Sequence, residues 1–185
     1  MKYYYYQASS LQAHDLLHDF FQDNYEKQIS QTRLNDKIGY FLADDDFFDV
    51  IDNILSLMIH DTGISFTFIA SHEESDTALY FLKKACSLCN EKCSYLCDVL
   101  LACMLAHQDV KAVLLKQFKD IPHEEIQCAL MYVKCGMSVH RASSKLFIHR
   151  NTFTYRMNKF IQNCNLDIRE FHNAMYFSYA MKVIS

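Results

Sequence analysis

The residues with the most evident chemistry form a run near the C-terminus, from Ser138 to Phe160. Its spacing predicts one helix over roughly Val139–Leu146, a turn at Phe147, Ile148 and His149, and a second helix from near Arg150 to about Gln162. Two helices joined by three or four residues have the spacing of a DNA-binding helix-turn-helix, whose second helix enters the major groove. Rotation by about 100° per residue places Phe153, Met157, Phe160 and Ile161 on one side of the second helix. Asn151, Tyr155, Asn158 and Gln162 fall opposite, with Thr152 and Lys159 beside them, while Arg150 and Arg156 flank the apolar stripe. One face is therefore core, and the other carries donors and acceptors of the kind that read base edges and hold phosphates. An ordinary amphipathic surface helix has the same two-faced pattern, so the spacing alone leaves both readings open.

The run Leu146-Phe-Ile-His-Arg-Asn-Thr-Phe-Thr-Tyr-Arg-Met157 closely resembles the C-terminal helix-turn-helix of PucR/CdaR-type bacterial regulators, which control purine and sugar-diacid catabolism. The family pattern is a small residue, two variable residues, Leu, then x-[VI]-H-R-N-T-L-x-Y-R-L. Ile148, His149, Arg150, Asn151, Thr152, Tyr155 and Arg156 match it directly. Phe153 and Met157 replace two leucines, and Ser143 stands where Ala is usual. Leu166-Asp-Ile-Arg-Glu170 and the helix after it resemble the family's closing segment. The resemblance covers roughly the last 65 residues. It implies that Arg150, Asn151, Thr152 and Tyr155 contact the groove. His149, Arg156 and Lys159, with Lys145 and Arg141, would hold phosphates or fix the helix. His149 and Arg156 lie toward the apolar side and could bond within the motif.

Other constellations have plainer readings. Cys86, Cys89, Cys93 and Cys97 could serve zinc or an iron–sulfur cluster. Their spacing is helical, and on one continuous helix Cys86 and Cys97 would stand about 16 Å apart, whereas zinc ligands converge at about 2.3 Å from one ion. A shared site requires a break, for which Asn90 is the candidate. Buried thiols in a reducing compartment are the preferred reading of these and of Cys103, Cys128, Cys135 and Cys164. Asp44-Asp45-Asp46 follows an expected strand; such acids bind magnesium or accept phosphoryl groups in some proteins, but they also begin helices well. His14 and His18 are four apart on an expected helix without a zinc motif around them, and read as surface residues. No Gly-rich phosphate loop or nucleophile elbow is present, so the chain is expected not to be an enzyme and to need no cofactor.

The charge is unevenly spread. From Lys134 to Ser185 eight Lys/Arg face two acids, a net +6, whereas residues 1–133 hold ten bases and twenty acids, a net −10. A basic end on an acidic body suits a DNA-binding tail and argues against loose nucleic-acid binding by the N-terminal part. Hydrophobic residues make up 51% and charged residues 22% of the 185, which marks a folded chain. One Pro and three Gly favour long helices. No signal peptide is evident and no apolar run nears the roughly 18 residues of a membrane span, so a cytoplasmic location and no membrane partner are expected.

These groups need elements to position them. Tyr3–Tyr6, Lys37–Ala43 and Ile64–Ala70 read as strands, the first covered on both sides. Leu11–Lys27, Asp44–His60 and Thr77–Cys89 read as helices between and after them, with Ser9 or Ser10 capping the first, Gly63 closing the second, and 29–36 left as loop or helix end. Three strands joined by helices imply a small mixed or parallel sheet. Beyond Asp76 no strand is expected: Lys92–His107, Val110–Phe118 and Ile126–Lys134 read as helices. The fold class is thus α+β, mostly helical: a small N-terminal α/β subdomain followed by a helical region ending in the helix-turn-helix. The expected division is a sensor or dimerisation subdomain at 1–85, a helical connector at 86–120 and a DNA-binding domain at 121–185.

The function expected is a DNA-binding transcriptional regulator of PucR/CdaR type. Its partners would be double-stranded DNA, a second copy in a homodimer and a possible small-molecule effector. Two alternatives stand beside it. One is a ligand- or protein-binding module using the helix-turn-helix as an interaction surface; the other is a metal- or redox-responsive regulator built on Cys86–Cys97.

Overall fold

The computed structural model describes residues 1–90 and 92–185. They divide into two compact units, Met1–Ala106 and His107–Ser185.

The first unit is built on a five-stranded sheet. In chain order it runs β1 (Lys2–Ala8), α1 (Ala13–Asn24), β2 (Ser30–Arg33), β3 (Ile38–Ala43), α2 (Phe47–Thr62), β4 (Phe66–Ser71), α3 (Asp76–Leu88), β5 (Cys93–Tyr95) and α4 (Leu96–Leu105). The strand order is β2-β3-β1-β4-β5. β1 lies in the middle, antiparallel to β3 on one side and to β4 on the other, and only β4 and β5 run parallel. Strands adjacent in sequence with a helix between them are therefore mostly not neighbours in the sheet: β3 and β4 run the same way with β1 between them. The alternation of strand and helix suggested a parallel or mixed sheet, and the sheet is mixed with antiparallel pairing dominant.

The tyrosine run explains why β1 is central. Successive side chains of a strand point to opposite faces, and Tyr4, Tyr5 and Tyr6 are all buried, at 1%, 0% and 0% exposure. Tyr4 and Tyr6 face a core shared with Leu17 and Phe21 of α1 and Phe47, Ile51 and Leu55 of α2. The rings of Phe21 and Phe47 meet edge to face at 4.8 Å, a favoured aromatic geometry. Tyr5 faces the other way, where its hydroxyl accepts from the Ser75 backbone N–H at 3.1 Å, at the start of α3. Opposite Tyr6 in the register stands Gly39. A Cβ there would lie 2.6 Å from both the Tyr6 hydroxyl and the Thr32 carbonyl oxygen, so the close approach of ring to backbone requires glycine. Gly63 closes α2 in the left-handed region at φ 69°, the conformation glycine adopts without strain.

Several expectations need correction. Ser30–Arg33 is a strand, not loop or helix end. Cys93–Tyr95 is a strand inside what read as the helix Lys92–His107, and the helix begins only at Leu96. Both strands are short and add to an existing edge: β2 to β3, β5 to β4. The pairing comes from the neighbour, and four or three residues give no readable period of their own. His14 is buried at 3% exposure and is not a surface residue. Its Nδ1 lies 2.6 Å from the Tyr6 hydroxyl and its Nε2 lies 2.8 Å from the Asn35 carbonyl oxygen, so both ring nitrogens are satisfied, as a buried imidazole requires. α1 begins at Ala13 after Gln12, without a side-chain cap from Ser9 or Ser10.

The acidic triplet also behaves differently from a helix cap. Asp46 occupies the N-cap position of α2 but makes no side-chain cap bond. Its carboxylate accepts from Lys27 Nζ at 2.5 Å and from the Tyr25 hydroxyl at 2.9 Å. The Lys27 ammonium, then the Tyr25 hydroxyl, hold its carboxyl below the ordinary carboxylate range. Asp45 pairs with Lys2 at 3.5 Å.

The second unit is helical: α5 (Lys111–Phe118), α6 (His123–Lys134), α7 (Val139–Lys145), α8 (Arg150–Cys164) and α9 (Phe171–Ile184). α6 packs on α7, α8 and α9. Phe177 of α9 is fully buried between Phe118 and Phe160, with ring centroids at 5.7 and 4.9 Å. Tyr176 is buried beside it and donates its hydroxyl hydrogen to Gln117 Oε1 at 2.8 Å, so α5 and α9 are locked by packing and a polar contact together. No helix among the described residues is long and apolar enough to cross a membrane.

Candidate nucleic-acid interface

The expected two-helix element is present at α7 and α8. Ser138 caps α7, its Oγ accepting from the Arg141 N–H at 3.3 Å. Four residues, Leu146 to His149, then turn the chain. Phe147 sits in the left-handed region at φ 55°. It is 95% exposed, so the backbone takes this bend without its side chain being buried. The Ile148 N–H donates to the Ser143 carbonyl at 3.1 Å across the bend.

His149 starts the second helix. Its Nδ1 accepts from the Asn151 N–H at 3.1 Å, which satisfies one of the otherwise unpaired donors of the first turn. An imidazole in this role must leave Nδ1 unprotonated, so the hydrogen of the neutral ring lies on Nε2.

The apolar stripe of α8 is buried as its rotation requires: Phe153 at 0%, Met157 at 5% and Phe160 at 0% exposure, with Ile161 half-buried. Phe153 faces Tyr132 of α6 at a centroid distance of 6.4 Å. α8 ends at Cys164, with Asn165 in the left-handed region at φ 48°. Asp167 and Arg169 then form an ion pair, with Nε to Oδ1 at 2.7 Å. The Asp167 carbonyl accepts from Asn173 Nδ2 at 2.9 Å, which fastens the closing segment to α9.

The candidate contact residues fall into two groups. Asn151, Thr152 and Tyr155 are exposed on the polar side of α8, Tyr155 at 63%, and Arg150 is exposed at its first residue, beside the apolar stripe. None of their side chains makes a hydrogen bond or ion pair among the described residues. Lys145 and Arg141, both exposed, stand on α7. Lys159 is half-buried, as long basic chains often are. Arg156 stands apart: its side chain is 30% exposed and its guanidinium is ion-paired with Glu124 of α6. Burial pushes the Cys128 thiol up, and the Arg156 guanidinium opposes that shift in part. Arg156 is thus a bolt between α8 and α6, and His149 is a cap. Sequence reasoning missed Glu124, which has no signal of its own until the fold brings α6 beneath α8.

The cysteine run is not one helical face. α3 ends at Leu88, Cys89 is extended, Cys93 lies in β5 and Cys97 in α4. Glu91, inside the run, lies outside the described residues. All eight cysteines are free thiols, Cys86 exposed and Cys93 and Cys97 buried. Burial, then the neighbouring Asp98 carboxylate, pushes the Cys97 thiol up to about 12. Among the described residues no group of three His, Cys, Asp or Glu is placed to share a metal ion.

Comparison with known proteins agrees with the geometry of the second unit. Residues 126–183, which contain most of α6 and all of α7 and α8, match the PucR C-terminal helix-turn-helix domain. No curated protein sequence matches the chain. Among solved structures, the chain is similar to a regulator of polyketide synthase expression from Bifidobacterium adolescentis. The TM-score is 0.47 at 13% identity, over 99% of this chain and 80% of that one. Residues 126–183, under a third of the chain, are therefore similar to the PucR C-terminal helix-turn-helix domain, in keeping with the two-helix element that α7 and α8 form.

Proposed function

We propose that this protein is a cytoplasmic transcriptional regulator of PucR/CdaR type that reads double-stranded DNA with α8. The observation that supports this reading is the division of labour on α8. Phe153, Met157 and Phe160 are buried, while Arg150, Asn151, Thr152 and Tyr155 project with no partner in the fold. An N-terminal cluster of Arg, Asn, Thr and Tyr on the exposed face of a second helix suits base-edge contact: Arg pairs with guanine and Asn with adenine, each by two hydrogen bonds. Lys159, Lys145 and Arg141 supply charge to phosphates. His149 and Arg156 set the position of α8 by their bonds to the Asn151 N–H and to Glu124. The reading needs no catalytic step.

In this reading residues 121–185 are the DNA-binding domain, 86–120 the connector and 1–85 a sensor or dimerisation subdomain open to a small-molecule effector. The working form is a homodimer, because one helix-turn-helix touches only a few base pairs and useful specificity comes from two half-sites. The experiment is selection of bound duplexes from random sequence, with sedimentation of the free protein and of the complex. A two-fold symmetric site and a mass near twice that of the chain are expected. Asn151→Ala should relax preference at one base pair of each half-site, at a cost of about 1–3 kcal/mol. Enrichment of no sequence, with binding unchanged in Arg150→Ala and Asn151→Ala, would reject α8 as the reading helix.

A further inference from the structure

We propose that the groove between α1 and α2 binds a small organic cation with an apolar body, a compound of the alkyl- or arylammonium class. Both helices already bury one stripe against the sheet. Each also presents a second stripe at i, i+3, i+4 and i+7 to the groove: Leu16, Asp19, Phe20 and Asp23 on α1, and Ile54, Leu57, Met58 and Asp61 on α2. Met58 belongs to the core and Leu16, Phe20 and Ile54 pack against it with part of their surface left open, while Leu57, Asp19, Asp23 and Asp61 are exposed. The groove has a volume of about 750 Å³, within the about 300–1,000 Å³ usual for small-molecule sites.

The chemistry of the lining selects the ligand. Leu16, Phe20, Ile54 and Met58 make an apolar floor, and Leu57, 65% exposed, stands at the mouth. The anionic groups at the rim are Asp19, Asp23 and Asp61. Neither helix carries a Lys or Arg. Asp61 is 3.2 Å from His60, whereas Asp19 and Asp23 have no basic partner among the described residues. Of the other polar side chains in the lining, Asn24 donates to the Phe20 carbonyl at 2.8 Å and Thr62 to the Met58 carbonyl at 2.6 Å, and the uncharged Gln12 completes the set. A ligand entering the groove therefore meets apolar surface below and three carboxylates above, of which Asp19 and Asp23 have no basic partner among the described residues. An ammonium gains from both, and from the Phe20 ring if it lies over the face. A carboxylate of the same shape is repelled. A second copy of the chain docked here by two-fold symmetry would bring one triplet of aspartates against the other, so the rim disfavours self-association.

The assignment concerns the unit Met1–Ala106 alone and does not rest on the DNA-binding reading. It is tested by isothermal titration of the full chain with phenylbutylammonium, and with phenylbutyrate as a probe of equal body and opposite charge. Saturable one-to-one binding of the ammonium is expected, about tenfold or more tighter than the carboxylate. Asp19→Asn with Asp23→Asn should remove most of that preference, and Leu57→Arg should abolish ammonium binding. All three positions are exposed, and circular dichroism is the check that the variants fold. Absence of saturable ammonium binding overturns the proposal. So do equal affinity for the two probes and indifference to the Asp19/Asp23 change. If Leu57→Arg instead halves the sedimenting mass, the groove is an interface between copies and the ligand site is refuted.

Discussion

Arg156 of α8 is ion-paired with Glu124 in the first turn of α6, so a basic residue of the helix-turn-helix is tied to the helix beneath it. The pair crosses between two helices that also share the Tyr132–Phe153 contact. Glu124 is 68% exposed at its side chain, and exposed pairs contribute about 0–1 kcal/mol. Glu124→Gln should therefore lower the unfolding free energy by less than about 1 kcal/mol, measured by urea titration, and leave the preferred DNA sequence unchanged. A changed base preference in Glu124→Gln would mean that Arg156 contacts bases directly.

Lys159 sits beside the polar face of α8 and is half-buried. Its place suits a phosphate, and phosphate contacts release counterions from the duplex. Lys159→Ala should weaken binding on all sequences alike and flatten the salt dependence by about 0.9 in the log–log slope. Measurement is by fluorescence polarisation across a salt series on selected and scrambled duplexes. A sequence-dependent loss would assign Lys159 to base reading instead.

The thiols should separate by exposure and ionisation. Cys86 is exposed, while Cys97 is buried beside Asp98 and held near 12. Since the thiolate is the reactive form, native protein at neutral pH should alkylate first at Cys86, although partial burial raises that thiol too, and last at Cys97. All eight should titrate after unfolding under non-reducing conditions. Mass spectrometry of timed alkylation reads the order. Early modification of Cys97 would place that side chain outside the core.

Alkaline pH should unfold the first unit through its tyrosines. Burial is the leading cause that pushes Tyr5 and Tyr6 from 10.0 up to about 12. Burial raises Tyr4 and Tyr25 as well. Their folded pKa values lie above the unfolded ones, so their contribution is fully present below pH about 10 and is lost as pH rises from about 10 toward 12. Unfolding free energy should fall with pH across that window. Phenolate absorbance should appear in two phases, the later one coincident with loss of circular dichroism. A single early phase with structure retained would show these hydroxyls open to water.

Local spacing was sufficient wherever a long element has one clear period. The buried face of α8 follows from Phe153, Met157 and Phe160 because a helix repeats over fifteen residues whatever surrounds it. The burial of Tyr4, Tyr5 and Tyr6 follows from aromatic residues on both faces of one strand. Family-like residues from Ile148 to Arg156 placed the helix-turn-helix before any fold was known. Tertiary structure decided what depends on a partner distant in sequence. β2 and β5 are strands because β3 and β4 offer open edges, and their own four and three residues encode no period. His14 is buried because Tyr6 and Asn35 meet its two ring nitrogens. Asp46 binds Lys27 and Tyr25 instead of capping its helix because α1's exit brings them within reach. Arg156 is a bolt and not a free cation because α6 carries Glu124 beneath it. The α1–α2 groove likewise exists only where two stripes, each an ordinary helix surface alone, come to face each other. Hydrophobic periodicity is a property of neighbours along the chain, whereas strand edges, ion pairs and cavities are made by residues that only the folded backbone brings together.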